Sequence, residues 1–133
     1  MSNIKSRITK FFKEQPKPKV KFKVVNNRHV SVNNVHVIKK DYYWIVQRQK
    51  FTFKKSAVAY AVYETNKDNQ NSSMIIKLDS QLSKLHEDIL QYKRPTNDKV
   101  IKLNRLNRLS AVLPEYYATK KRLDSLVQSV KLA

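Results

Sequence analysis

The chain has 133 residues and a formal net charge of +18, from 28 Lys/Arg against 10 Asp/Glu, with no cysteine and no glycine. That length suits one domain, or a small domain with an appendage. The missing cysteines exclude a disulfide framework and a thiolate metal site. The missing glycines exclude the dinucleotide fingerprint and the P-loop.

No apolar run approaches the roughly 20 residues that span a bilayer. The N-terminus lacks the uncharged core of a secretory signal. The charge is uneven: residues 1–55 hold 15 Lys/Arg and two acids, Glu14 and Asp41, while residues 56–133 hold 13 and eight. So cationic a first half repels itself unless an anion relieves it. Abundant Lys, Asn and Ile with scarce Gly is also what an AT-rich genome encodes. That bias accounts for the absent glycines better than for the shortage of acids.

In residues 2–14, Ile4, Ile8, Phe11 and Phe12 fall on one helical face among Lys5, Arg7, Lys10 and Lys13. This is the pattern of a basic amphipathic helix. Its apolar stripe serves either an anionic membrane, a nucleic acid or a partner groove, or else packing on the rest of the domain. Pro16 and Pro18 end it in an extended linker.

From Lys19, Val20, Phe22 and Val24 alternate with Lys19, Lys21 and Lys23. The period of two predicts a half-buried strand with three lysines on its open face. Short alternating runs follow at His29–Val32 and Val35–Ile38. They are separated by Asn26-Asn27 and Asn33-Asn34, which make tight turns where glycine is missing. Tyr42–Gln47 predicts a further strand after a turn at Lys40-Asp41, and Phe51–Phe53 a last short one. Trp44 alternates with Tyr43 and Ile45, and Trp44 is assigned to the core. Residues 19–54 thus read as an antiparallel meander of three to five strands.

Ser56 is placed as the N-cap of an alanine-rich helix, and residues 66–73 as a polar loop. Ile75, Leu78, Leu82, Leu85, Ile89 and Tyr92 then follow a heptad seam that ends before Pro95. Ser72 or Ser73 is placed as its cap, and Thr96 or Asn97 as the cap of the next helix. That helix carries Leu103, Leu106, Leu109, Leu113, Leu123, Val127 and Val130. Pro114 is expected to kink it or start a new one. Two long helices and a short turn make an antiparallel hairpin, which folds back on the sheet or pairs with another chain.

No enzyme constellation stands out. His29, His36 and His86 lack neighbouring ligands for a metal, and no cofactor is implied. Asp79, Glu87, Asp88 and Asp98 read as exposed helix charges, with Lys84 and Asp88 paired. Polyanion binding needs several cations on one surface, because each neutralised phosphate releases a counterion. Lys19, Lys21, Lys23, Arg28, Lys39, Lys40, Lys54 and Lys55 are the expected contact surface. Lys54 and Lys55 stand at a helix N-terminus, whose amides also favour phosphate. The pattern supports backbone contact and gives no base readout. Five to eight phosphate contacts would set a log K against log salt slope of roughly −4 to −7.

Trp44-Ile45-Val46, then Phe53-Lys54-Lys55-Ser56-Ala57-Val58-Ala59-Tyr60-Ala61-Val62, resembles small uncharacterised basic proteins of tailed phages of marine cyanobacteria. Val30-Ser31-Val32-Asn33-Asn34-Val35-His36-Val37 fits the same pattern. The resemblance covers roughly residues 20–130. It implies a viral origin, a ββα-plus-hairpin layout, and a place in the infected host's cytoplasm or in the virion. It brings no assigned activity and no site residues.

The sequence therefore predicts an α+β chain in three parts. Residues 1–18 are a basic helix and linker, residues 19–65 a small antiparallel β-meander backed by a helix, and residues 72–133 a helical hairpin. The expected function is non-enzymatic, largely sequence-independent binding of DNA or RNA. The alternative is a virion or interaction protein, with Ile75, Leu78, Leu82, Leu85 and Ile89 as the seam of a homo-oligomer or of a contact with another virion protein.

Overall fold

A computed structural model of the chain describes residues 19–131. The basic stretch with Ile4, Ile8, Phe11 and Phe12, and the linker through Pro18, lie outside the described residues. The fold is α+β. Five strands, β1 (Phe22–Asn26), β2 (His29–Val32), β3 (Val35–Lys40), β4 (Tyr43–Val46) and β5 (Gln49–Phe51), form one sheet in sequence order. Every neighbouring pair is antiparallel. Three helices follow: α1 (Lys54–Thr65), α2 (Asn69–Tyr92) and α3 (Lys99–Lys131).

Alternation decides what the sheet buries. Cross-strand partners share a face, and Val30 pairs with Val37, Val37 with Val46, and Trp44 with Phe51. All five are buried on the helix side, with Val32. α1 lies across them and touches β2, β3, β4 and β5. With α2 and α3 on its other side, this helix is buried nearly all round, from Ser56 and Ala57 through Ala59–Tyr63. Its alanines allow that close approach. The Tyr63 hydroxyl satisfies itself by donating to the Leu126 carbonyl of α3 at 2.7 Å.

The β1 alternation is as predicted, but its apolar side is not covered. Phe22 pairs with Val32 and Val24 with Val30, yet they stay 50% and 60% exposed. The helical layer stops short of this edge strand. Local turn chemistry also differs in places. Asn33 and Asn34, at φ 51° and 68°, make the expected hairpin turn. The first turn is Asn27-Arg28 rather than Asn26-Asn27, with the Arg28 amide donating to Asn26 Oδ1 at 2.8 Å. The third is Asp41-Tyr42, with Asp41 at φ 58°.

Helix ends show the same kind of shift. α1 begins at Lys54 with Phe53 as N-cap, so Ser56 sits buried inside the first turn and caps nothing. Asp68, not Ser72 or Ser73, caps α2 by accepting the Asn71 amide at 3.2 Å. The expected loop at 66–73 is therefore shorter. Asp98 caps α3, accepting the Val100 and Ile101 amides at 2.9 and 3.1 Å. α3 runs unbroken through Pro114. The ring removes one amide donor and leaves the Ser110 carbonyl without its usual partner.

The hairpin folds back on the sheet unit. Ile75, Leu78 and Leu82 of α2 and Leu123, Val127 and Val130 of α3 join one core with the sheet valines and α1. Leu85 and Ile89 are buried as well. The five seam residues from Ile75 to Ile89 are thus buried within the chain, and Tyr92 is half-buried.

Candidate nucleic-acid interface

The eight basic residues expected to act together do not share one surface. Lys39 is on the helix side, opposite Trp44 in the register. Its Nζ lies 5.9 Å from the Trp44 ring centre, and Lys54 Nζ lies 5.3 Å from it. Both ammonium groups rest on the edge of the core. Lys55 Nζ is held by Asp124 Oδ1 at 2.7 Å, the one salt bridge among the described residues, so the expected Lys84–Asp88 pair is not formed. Lys19 and Lys21 are tied by their backbones at the far end of α1. The Lys19 amide donates to Asn66 Oδ1 at 3.0 Å, and the Lys21 amide to Asn33 Oδ1 at 2.7 Å.

Lys23 and Lys40 are different. Lys23 pairs with Ser31 and Lys40 with Tyr43, on the face turned away from α1. The same register puts His29, His36, Ile38, Ile45 and Lys50 on this face. No described helix covers it. Ile38 and Tyr43 remain exposed, as do Lys23, Lys40, Lys50 and His36. Arg28 and Arg48 stand in the turns at opposite ends, and Asp41 is the one acid in the turns bordering this face.

Two contacts organise the surface. His29 Nε2 and His36 Nδ1 lie 2.8 Å apart on diagonal positions of β2 and β3. One ring donates and the other accepts, so a single proton sits between them. Lys50 Nζ lies 5.8 Å from the centre of the Tyr43 ring, a cation–π contact between neighbouring strands. The result is an open sheet face that carries one phenol, two imidazoles set edge to face at 61° and two isoleucines, bordered by cations. Among the described residues no three His, Asp or Glu side chains gather to hold a metal ion. His86 is remote from this face, its ring 6.4 Å from that of Tyr116.

Lys50 and Tyr43 were the residues missing from the predicted surface. The sequence did carry the signal. Once Trp44 is core, Tyr43 and Ile45 must face the other way, and a two-residue hairpin at Gln47-Arg48 sets Lys50 opposite Ile45.

Among the described residues, the one buried carboxylate belongs to another job. Asp79 of α2 accepts the Thr52 amide at 3.0 Å and the Phe53 amide at 3.3 Å, at the start of α1. Burial pushes its carboxyl pKa up. Against that act the Thr52 amide, the nearby Ser56 hydroxyl, the Phe53 amide and the Lys55 charge. Asp79 therefore fastens the junction between β5 and α1 and is not one of the exposed helix charges.

Compared with known proteins, the chain matches no family model, no curated protein and no solved structure. Its function is read from geometry and charge.

Proposed function

We propose that the protein binds nucleic acid without base readout, through the uncovered face of its five-stranded sheet, and carries out no reaction there. The observation that carries this reading is the co-location of Lys23, Lys40 and Lys50 with Tyr43 and the His29–His36 pair on one acid-poor plane. Cations supply phosphate contact by counterion release. The exposed Tyr43 ring supplies sequence-tolerant stacking for unpaired bases. Arg28 and Arg48 at the two ends extend the cationic track along the plane.

The test is filter binding against salt. With about five cations engaged, log K falls with log salt at a slope of about −4. Replacing Lys23, Lys40 and Lys50 by Gln flattens that slope by about 2 to 3. Lys54→Gln, which alters a cation on the Trp44 side, leaves it unchanged. A slope near zero for the natural chain removes the proposal. Equal losses from Lys54→Gln and from the sheet-face variants move the interface elsewhere.

A further inference from the structure

We propose that the outer stripe of α3 binds an acidic amphipathic helix of a partner protein. This proposal stands apart from the nucleic-acid reading and uses none of its residues. No side chain of α3 from residue 99 to 118 is buried, although the helix continues into the core from Thr119 onward. Among the described residues, the first half of α3 therefore has only α2 beside it. Its inward side is marked by half-buried Leu109 and Tyr116, seven residues apart and in line with buried Leu123.

A second stripe lies off that line. Leu103, Leu106, Leu113 and Tyr117 follow spacings of 3, 7 and 4, so they stack on one side of the helix. Leu103 is 59% exposed, Leu106 52% and Tyr117 60%. Leu113 is half-buried, and among the described residues the other three stay exposed; the stripe is about 21 Å long at 1.5 Å per residue. Apart from Val100, 69% exposed beside Leu103 at the tip, it is one side chain wide, which suits the knobs of a facing helix. A bilayer surface selects a broad apolar face instead.

Charge identifies the occupant. Lys99 and Lys102 flank the stripe at its tip end, and Lys120 and Lys121 at the other, all exposed. The acid along this line, Asp124, is already engaged by Lys55 at 2.7 Å. Helical spacing puts Glu115 on the opposite side from Leu113 and Tyr117. A second copy of α3 would meet lysine with lysine in either direction. Parallel pairing stacks like on like, and antiparallel pairing sets Lys99 and Lys102 against Lys120 and Lys121. A helix with apolar a and d positions and Glu at e and g meets leucine with leucine and lysine with glutamate.

The test uses the full chain and a fluorescein-labelled synthetic peptide of about three heptads, with Leu at a and d and Glu at e and g. A scrambled peptide of the same composition is the control. Anisotropy at about 0.15 M salt is expected to show at least tenfold tighter binding of the heptad peptide. The double variant Leu103→Ser/Leu106→Ser loses at least tenfold, while its melting temperature and nucleic-acid salt slope stay those of the natural chain. Equal binding of both peptides, or no loss in the double variant, overturns the proposal. So does Leu103-dependent self-association in sedimentation without peptide. Leu103-dependent binding to phosphatidylserine vesicles with no peptide binding also overturns it.

Discussion

Asp79 reaches from α2 to accept the Thr52 amide at 3.0 Å, joining the last strand, the first helix and the hairpin at one point. Its second oxygen takes the Phe53 amide. These amides belong to the two residues that precede α1, so the carboxylate fixes the junction between β5 and the helix. Asp79→Ala leaves both amides and the buried Ser56 hydroxyl facing a void. The expected loss is about 2–3 kcal/mol, read as a lower urea midpoint at unchanged m.

The pH dependence has a definite sign. Burial raises the Asp79 carboxyl above its ordinary value, so the folded chain holds that proton more tightly than the unfolded chain. The contribution of Asp79 to stability is therefore highest in acid. It falls as pH rises from the unfolded value through the folded one, and is level above that. Asp79→Asn lacks this term. The stability of the natural chain minus that of the Asn variant should decline with pH across that window. Urea titrations at several pH values check it, and a difference that grows with pH contradicts the assignment.

Asn33 is a second point of convergence. It occupies the left-handed region at φ 51°, and its side chain receives the Lys21 amide and donates to the Lys19 carbonyl and Thr65 Oγ1. One side chain thus makes a turn and fastens the start of β1 to the end of α1. Asn33→Ala loses both functions and is expected to cost about 2–3 kcal/mol. Asn33→Gly keeps the turn and loses the clamp, at about half that cost. Thermal melts of the two variants separate the contributions.

The open sheet face makes a prediction about strand state. Tyr43 is 46% exposed on this open face, within reach of unpaired bases, whereas the bases of a stacked duplex are turned inward. Tyr43→Ala should weaken binding of single-stranded oligonucleotide by about 1–3 kcal/mol and leave duplex affinity nearly unchanged. Parallel anisotropy titrations with the two forms check it. Equal effects on both would assign Tyr43 a structural role only.

Pro114 lies inside a 33-residue helix. Pro114→Ala restores one amide donor for the Ser110 carbonyl and removes a ring clash. It is expected to stabilise the chain by about 1–3 kcal/mol and to raise its helical circular dichroism signal. An unchanged or lower melting temperature would show that α3 is already bent to suit the ring.

The meander, the alanine-rich helix and the hairpin were legible because their signals are periodic. The valines of β2 and β3 alternate, and Ile75 to Ile89 keep heptad spacing. What escaped the sequence was non-local. Nothing around Asp79 marks it as the acceptor for an amide 26 residues earlier. Phe22 and Val24 alternate correctly, but how far the helical layer extends is settled by packing. The basic surface was divided for the same reason. Lys39 and Lys40 are adjacent in sequence, and the pleat sends them to opposite sides of the sheet.

The meander also bears on how the chain reaches its native state. Each strand pairs with the next in sequence, so all four hairpins close over short loops and need no distant segment. Such contacts form early and quickly. The last helix is the exception. Its clasps to α1, Lys55 with Asp124 and Tyr63 with Leu126, span 69 and 63 positions. During synthesis from the amino end, the alanine-rich helix would remain uncovered on one side until the final turns of α3 emerge. That interval is when the growing chain is most exposed to misassociation.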